Sequence, residues 1–249
     1  MHVWALLAVA GFAAGVVNAM AGGGSLLSFP TLLATGMPAV TANATSTLAL
    51  WPGSLSSVWA YRGFIAEERR RAFILAWPSL IGGLLGSILL LHTSERLFRA
   101  VVPWLILFAC VLLAAQDPIS RWIARRTGAS ERGGLVAFAF MQFLVAVYGG
   151  YFGAGIGILM LAGMAIFMPG HLQHANGLKV LQAMLINGMA AIYFFATHAA
   201  DLPSAGLMAV TSLVGGYVGA RLAQKLPGRL LRYVVVAFGV AVAGKLFLD

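Results

Sequence analysis

The sequence predicts an all-α polytopic membrane protein made of two inverted repeats, each a glycine-broken re-entrant hairpin followed by three transmembrane helices. Three observations predict it. Of 249 residues, 61% are hydrophobic and only 9% charged, where a soluble domain carries roughly 25% charged residues. Two apolar runs are too short to cross a bilayer, and each follows a glycine-rich interruption. The two halves of the chain carry the same motifs in the same order.

The first apolar run, Val3–Ala21, ends in Gly22-Gly23-Gly24-Ser25. Each glycine costs a helix about 1 kcal/mol against alanine, so three in succession stop one helix and allow another to start. The restarted helix aims its free N–H groups and positive dipole end at whatever lies before it. Ala19-Met20-Ala21 resembles a signal-peptidase site, but no Lys or Arg precedes it and the segment has a counterpart later in the chain, so it reads as retained. The later runs are Ser25–Ala34, Ala39–Tyr61, Phe73–Leu91, Ala100–Ala115, Leu135–Tyr148, Ile156–Met168, Leu172–Thr197, Pro203–Ala220 and Leu230–Phe247. A crossing needs about 20 residues. Ser25–Ala34 and Ile156–Met168 fall short.

The loop Gln116–Gly134 divides the chain into a first repeat over 1–115 and a second over 135–249, with 116–134 as a cytoplasmic linker. The stretch Ser79 to Ser87 returns as Ser212 to Ala220, 133 residues on, and Ala42-Asn43 returns as Ala175-Asn176 at the same offset. Gly22-Gly23-Gly24 falls on Gly153-Ala154-Gly155, and Met37-Pro38 on Met168-Pro169, both at offset 131. Internal repeats of this kind are typical of secondary transporters.

Loop charge orients the units. If Leu135–Met168 enters and leaves on one side, twelve cations (Arg62 to Arg71, Arg121 to Arg132, and Arg221, Lys225, Arg229 and Arg232) share a face against three (Arg96, Arg99 and Lys245). If that segment crosses once, the split is nine to six. Cation-rich short loops are cytoplasmic, which favours the hairpin. Extending it to the first half by the repeat gives six crossings, two opposed hairpins and both termini outside. The net charge of +9 is thereby accounted for by orientation, and no basic domain remains to hold nucleic acid.

In such an arrangement the two breaks meet near the midplane. Gly22, Gly23, Gly24 and Ser25 then face Gly153 and Gly155, each side offering half-helix N–H groups to an anion. Asn18 precedes the first break. Lys179 lies eight residues into its segment, where a charge is expensive and marks a site by default. Gln173, Asn176, Lys179 and Gln182 recur at three-residue spacing and share much of one helix face. Asn43 and Thr45 occupy the matching stretch of the first half, without a charge. Gly82, Gly86, Gly215 and Gly219 have the spacing of a packing seam instead. The seven carboxylates all lie in loops or at a terminus, and Cys110 is the only cysteine, so no metal, cofactor or proton-relaying carboxylate is expected in the core. Anion export then needs only the membrane potential.

These motifs resemble the TauE/SafE sulfite exporter family. Asn18, Gly22 to Ser25, Pro30, Gly36-Met37-Pro38 and Ala42 to Thr45 resemble its first repeat; Gly149 to Gly157, Met168-Pro169 and Ala175 to Lys179 resemble its second. The resemblance implies a bacterial inner-membrane permease for small sulfur-containing anions such as sulfite or organosulfonates. Ile156 stands where the first break has Ser25, a departure from a symmetric hydroxyl pair. Expected partners are the small anion, the lipid bilayer and, as an option, a second copy of the chain in a homodimer. A permease for a different small anion is one alternative. Another is an intramembrane hydrolase using Ser25, but that needs a nearby histidine, and His2, His92, His171, His174 and His198 all lie at segment ends. No catalytic residue is expected.

Overall fold

The computed structural model describes residues 2–125, 131–167, 172–223, 225 and 229–248. Arg126, Met168, Pro169 and His171 lie outside them, as do the side chains of Arg121, Arg125, Arg132, Arg229 and Arg232. The described residues form ten helices: α1 (His2–Ala21), α2 (Ser25–Ala34), α3 (Ala39–Glu67), α4 (Arg69–His92), α5 (Glu95–Arg125), α6 (Glu131–Tyr151), α7 (Ile156–Phe167), α8 (Leu172–Ala196), α9 (Leu202–Ala223) and α10 (Arg229–Leu248). Large apolar side chains such as Trp59, Phe73, Trp104 and Val210 are exposed on the outside of the bundle, as a lipid-facing surface requires.

The two interruptions come from backbone conformation. Gly22 has φ +75° and Gly153 has φ +82°, a left-handed geometry that costs a residue with a side chain roughly 1–2 kcal/mol. The helices that restart, α2 with 10 residues and α7 with 12, are about 15 and 18 Å long, near half of a roughly 30 Å hydrocarbon core. Gly24 lies against the Ala14 carbonyl and the Asn18 Cβ of α1, so the chain turns back on itself there. In the second half, Tyr148 Oη donates to Ala154 O at 2.7 Å and Gln142 Nε2 approaches Met160 Sδ at 3.4 Å. Farther along, Gly163 sits against Phe138 and Met141. These contacts run backward along α6 as they run forward along α7, which is an antiparallel pair.

Packing repeats between the halves. Helix α1 lies on α9 as α6 lies on α4, α3 lies on α9 as α8 lies on α4, α3 meets α8, and α5 meets α10. Glycine seams make the close approaches. A Cβ on Gly82 or Gly86 would lie 2.7 Å from Phe143 O or 2.1 Å from Val147 O; one on Gly215 or Gly219 would lie 2.2 Å from Phe12 O or 2.5 Å from Val16 O. Those four partners are themselves related by the sequence repeat. The seam reading of these glycines is what the structure contains.

Two helix lengths differ from the sequence reading. Helix α5 does not end near Ala115 but continues to Arg125, and α6 already begins at Glu131, so most of the expected linker is helical backbone. Hydropathy marks where an apolar run ends, and a helix continues past that point where polar residues such as Gln116, Arg121 and Arg125 tolerate helical backbone. Five helices among the described residues are long and apolar enough to cross: within α1, α4, α5, α8 and α9. Helix α3, 29 residues long, is diluted by Thr41, Asn43, Thr45, Ser46 and Thr47, most of them buried.

Candidate substrate site

The two breaks touch. The Gly155 N–H donates to Gly22 O at 3.1 Å, and a Cβ on Gly22 would stand 3.0 Å from the Gly157 Cα. Beside this contact lies a small cavity between α1, α3, α7 and α8, with about 20 Å³ of space for the centre of a water-sized molecule. That suffices for roughly one water. Polar or backbone lining comes from Asn18, Gly22, Ser54, Ser57, Gly157 and Lys179, and none of the described lining residues is acidic.

Lys179 is 2% exposed, so it stays inside the bundle and does not extend to the membrane surface. Its stem runs over Gly157, where an added Cβ would meet the Lys179 Cδ at 3.1 Å. A glycine at this point of α7 therefore makes room for the lysine on α8. Ile156 and Gly157 open α7, and the first N–H groups of a helix have no partner within it. The cavity thus has a buried side-chain cation and the positive end of a half-helix on its walls.

Of the residues singled out in the sequence, Asn18, Gly22 and Lys179 come together here. Asn18 Nδ2 lies 3.4 Å from Ser54 Oγ. Gly23 packs on Leu113 of α5 and Gly24 on α1. Ser25 lies away from the cavity lining, beside Gly153 and the Asn187 amide: an added Cβ on Gly153 would be 3.9 Å from Ser25 Oγ and 3.7 Å from Asn187 Oδ1. Gly155, with φ +79°, faces Ala109 and Leu112 of α5.

Four other expected ligands lie elsewhere. Asn43 is buried and donates from Nδ2 to Tyr151 O at 2.9 Å, holding the carbonyl at the end of α6. Thr45 Oγ1 accepts the Asp201 N–H at 2.9 Å, which fastens the turn before α9 to α3. Gln182 Oε1 accepts from Ser79 Oγ at 2.9 Å while its Nε2 donates to Ala72 O at 3.0 Å. Both ends of that side chain are held by α4. Asn176 is half-buried on α8 and does not line the cavity. Ser54 and Ser57 were missed because a mid-helix serine that bonds to a carbonyl one turn back looks the same in sequence with or without a site beside it. Both make such bonds, Ser54 to Leu50 O at 3.4 Å and Ser57 to Gly53 O at 2.8 Å.

A polytopic helical bundle with a buried lysine in a cavity at two interrupted helices, and no carboxylate on that cavity among the described residues, fits a membrane transporter. The family model for "Sulfite exporter TauE/SafE" matches residues 7–246, and the chain belongs to this family. It is similar to a "Probable membrane transporter protein" of Haemophilus influenzae, 29% identical over 98% of this chain and 94% of the relative. It also resembles "Probable membrane transporter protein ORF9" of Sinorhizobium sp, 26% identical over 100% of this chain and 94% of the relative. "Probable membrane transporter protein YfcA" of Escherichia coli is 24% identical over 95% of this chain and 86% of its own length. The protein is therefore a multi-pass transporter of the bacterial inner membrane, not an enzyme, and the Ser25 hydrolase alternative is set aside.

Proposed function

We propose that this transporter exports a small sulfur-containing oxyanion, sulfite or an organosulfonate, through the cavity beside Lys179. The observation that carries this reading is the burial of Lys179 against the first turn of α7, in a cavity that no acidic residue lines among the described residues. Three donors can converge on one anion there: the Lys179 ammonium, the α7 N–H groups at Ile156 and Gly157, and the Asn18 amide. Sulfite and a sulfonate group each present three oxygens, one for each donor. Charged hydrogen bonds of this type are roughly twice as strong as neutral ones.

In this reading the halves 1–115 and 135–249 are inverted repeats joined by the cytoplasmic segment 116–134, each with a re-entrant hairpin. The antiparallel contacts of α6 with α7 and the exchange of packing partners between the halves support it. The cavity holds little more than a water, so the contact of Gly22 with Gly157 parts for the anion to enter and leave. Expulsion down an inside-negative potential releases about 2.3 kcal/mol per charge per 100 mV, and among the described residues no carboxylate lines the cavity to relay protons. The test is flux from proteoliposomes loaded with sulfite, taurine-type sulfonates, thiosulfate, sulfate or chloride, with voltage and pH gradients imposed separately. Saturable, voltage-driven flux of sulfite or a sulfonate is expected. Flux of chloride or sulfate alone overturns the substrate class, and flux that follows pH but not voltage overturns the coupling.

A further inference from the structure

On the far side of the α3–α8 wall from the cavity lies an open groove of about 400 Å³, bordered by α3, α4 and α8. We propose that it binds an acidic phospholipid, with the phosphodiester on Arg62 and Arg69 and an acyl chain laid along Ala76, Leu181 and Leu185. Both arginines line the groove and are exposed. The carboxylates nearest in sequence are engaged elsewhere: Glu68 holds Arg71 at 3.1 Å, and Glu67 holds the His174 ring at 2.9 Å. Arg62 donates to Trp59 O at 3.1 Å and lies 4.6 Å from the centre of the Trp59 ring. Among the described residues neither arginine of the groove has a carboxylate partner.

The depth and composition of the groove select a lipid over a soluble anion. Along α4 the lining passes from Arg69 to Ala76, seven residues or about 10 Å of helix, and beyond the arginines it is wholly apolar. Trp59 stands exposed beside Arg62, and exposed tryptophans mark the headgroup level. The loop-charge count puts this end on the cytoplasmic face, where basic pockets between transmembrane helices recognise anionic headgroups. An acidic peptide satisfies the arginines but not the apolar trough beneath them.

Native mass spectrometry of the full-length protein, released from nanodiscs of equal phosphatidylglycerol and phosphatidylcholine, tests this. Wild type is expected to retain one phosphatidylglycerol in preference to phosphatidylcholine, and the Arg62→Gln/Arg69→Gln variant to lose that preference by roughly tenfold or more. Arg62→Lys/Arg69→Lys, which preserves the charge, should retain most of it and shows that the site still folds. Arg70→Gln/Lys225→Gln, with the same net charge as the first variant, should behave as wild type. Equal retention of the two lipids by wild type overturns the proposal, and so does equal loss in the Arg70/Lys225 variant. Thermal stabilisation by inorganic phosphate or an acidic peptide, but not by phosphatidylglycerol, also overturns it.

Discussion

The backbone amide of Gly155 donates to the carbonyl of Gly22 over 3.1 Å, so the interruption in one half of the chain is bonded to the interruption in the other. Gly22 and Gly157 line the cavity on either side of that bond. Any motion that opens the cavity along this line acts on both interrupted segments at once. The glycines serve two purposes here: a left-handed turn at Gly22, and backbone contact with no side chain between.

The two purposes can be separated by substitution. Gly22→Ala adds left-handed strain of roughly 1–2 kcal/mol and a Cβ 3.0 Å from Gly157. Gly36 has φ +89° but nothing within 4 Å of an added Cβ, so Gly36→Ala adds strain alone. Both variants should melt several degrees below wild type. Only Gly22→Ala should lose anion flux, by about tenfold or more if misplacing a site element acts as it does elsewhere. Equal flux loss in the two variants would show that the Gly22–Gly157 contact has no special part in transport.

Lys179→Met removes the buried charge and keeps most of the stem. Lys179 has an interaction inside the bundle, so the melting temperature of the variant is followed to separate a loss of folding from a loss of binding. Its affinity for sulfite or sulfonate should fall about a hundredfold, the effect of losing roughly 3 kcal/mol of charge-assisted bonding. Isothermal titration beside thermal unfolding reads both quantities. Unchanged affinity with unchanged stability is incompatible with the site.

The break at Gly22 to Gly24 and the depth of Lys179 in its segment were legible because each is costly in a continuous membrane helix. Three consecutive glycines inside an apolar run have no use in a continuous helix, and a lysine eight residues into a membrane segment is too costly to be incidental. Gly82, Gly86, Gly215 and Gly219 were legible as a seam because their spacing is helical. Thr45 by its repeat position and Gln182 by its spacing from Lys179 read as ligands, yet they hold the Asp201 amide and α4. Polarity alone does not distinguish a ligand from an internal hydrogen bond; the partner sits on a distant helix. The length of α5 escaped for a related reason, since hydropathy records where the bilayer ends rather than where the helix does.

Gln182 itself gives the test of that distinction. Gln182→Leu removes the second donor to the Ala72 carbonyl, which keeps its helical bond, and the acceptor of the Ser79 hydroxyl, a loss of about 0.5–1.5 kcal/mol per hydrogen bond. Ser79 keeps one bond, because Gln142 Nε2 donates to its Oγ at 2.9 Å. The variant should therefore melt lower while binding the anion with wild-type affinity. A selective loss of affinity, with stability intact, would return Gln182 to the site.

The glycine seams yield a prediction about the relation between the halves. Ala at Gly86 places a methyl group 2.1 Å from Val147 O, and Ala at Gly219 places one 2.5 Å from Val16 O. Backbone cannot give way as a side chain can, so α4 must part from α6, or α9 from α1. Overpacking of this kind costs typically 1–3 kcal/mol. Gly206→Ala and Gly244→Ala meet nothing within 4 Å and should leave the melting temperature unchanged or slightly raised, since alanine is the better helix former. Gly86 and Gly219 are repeat mates and press on repeat-mate carbonyls. Their alanine variants should therefore be destabilised by similar amounts, within about 1 kcal/mol, in detergent unfolding assays. A large loss at one position with none at the other would mean that the two halves do not bear equivalent packing loads.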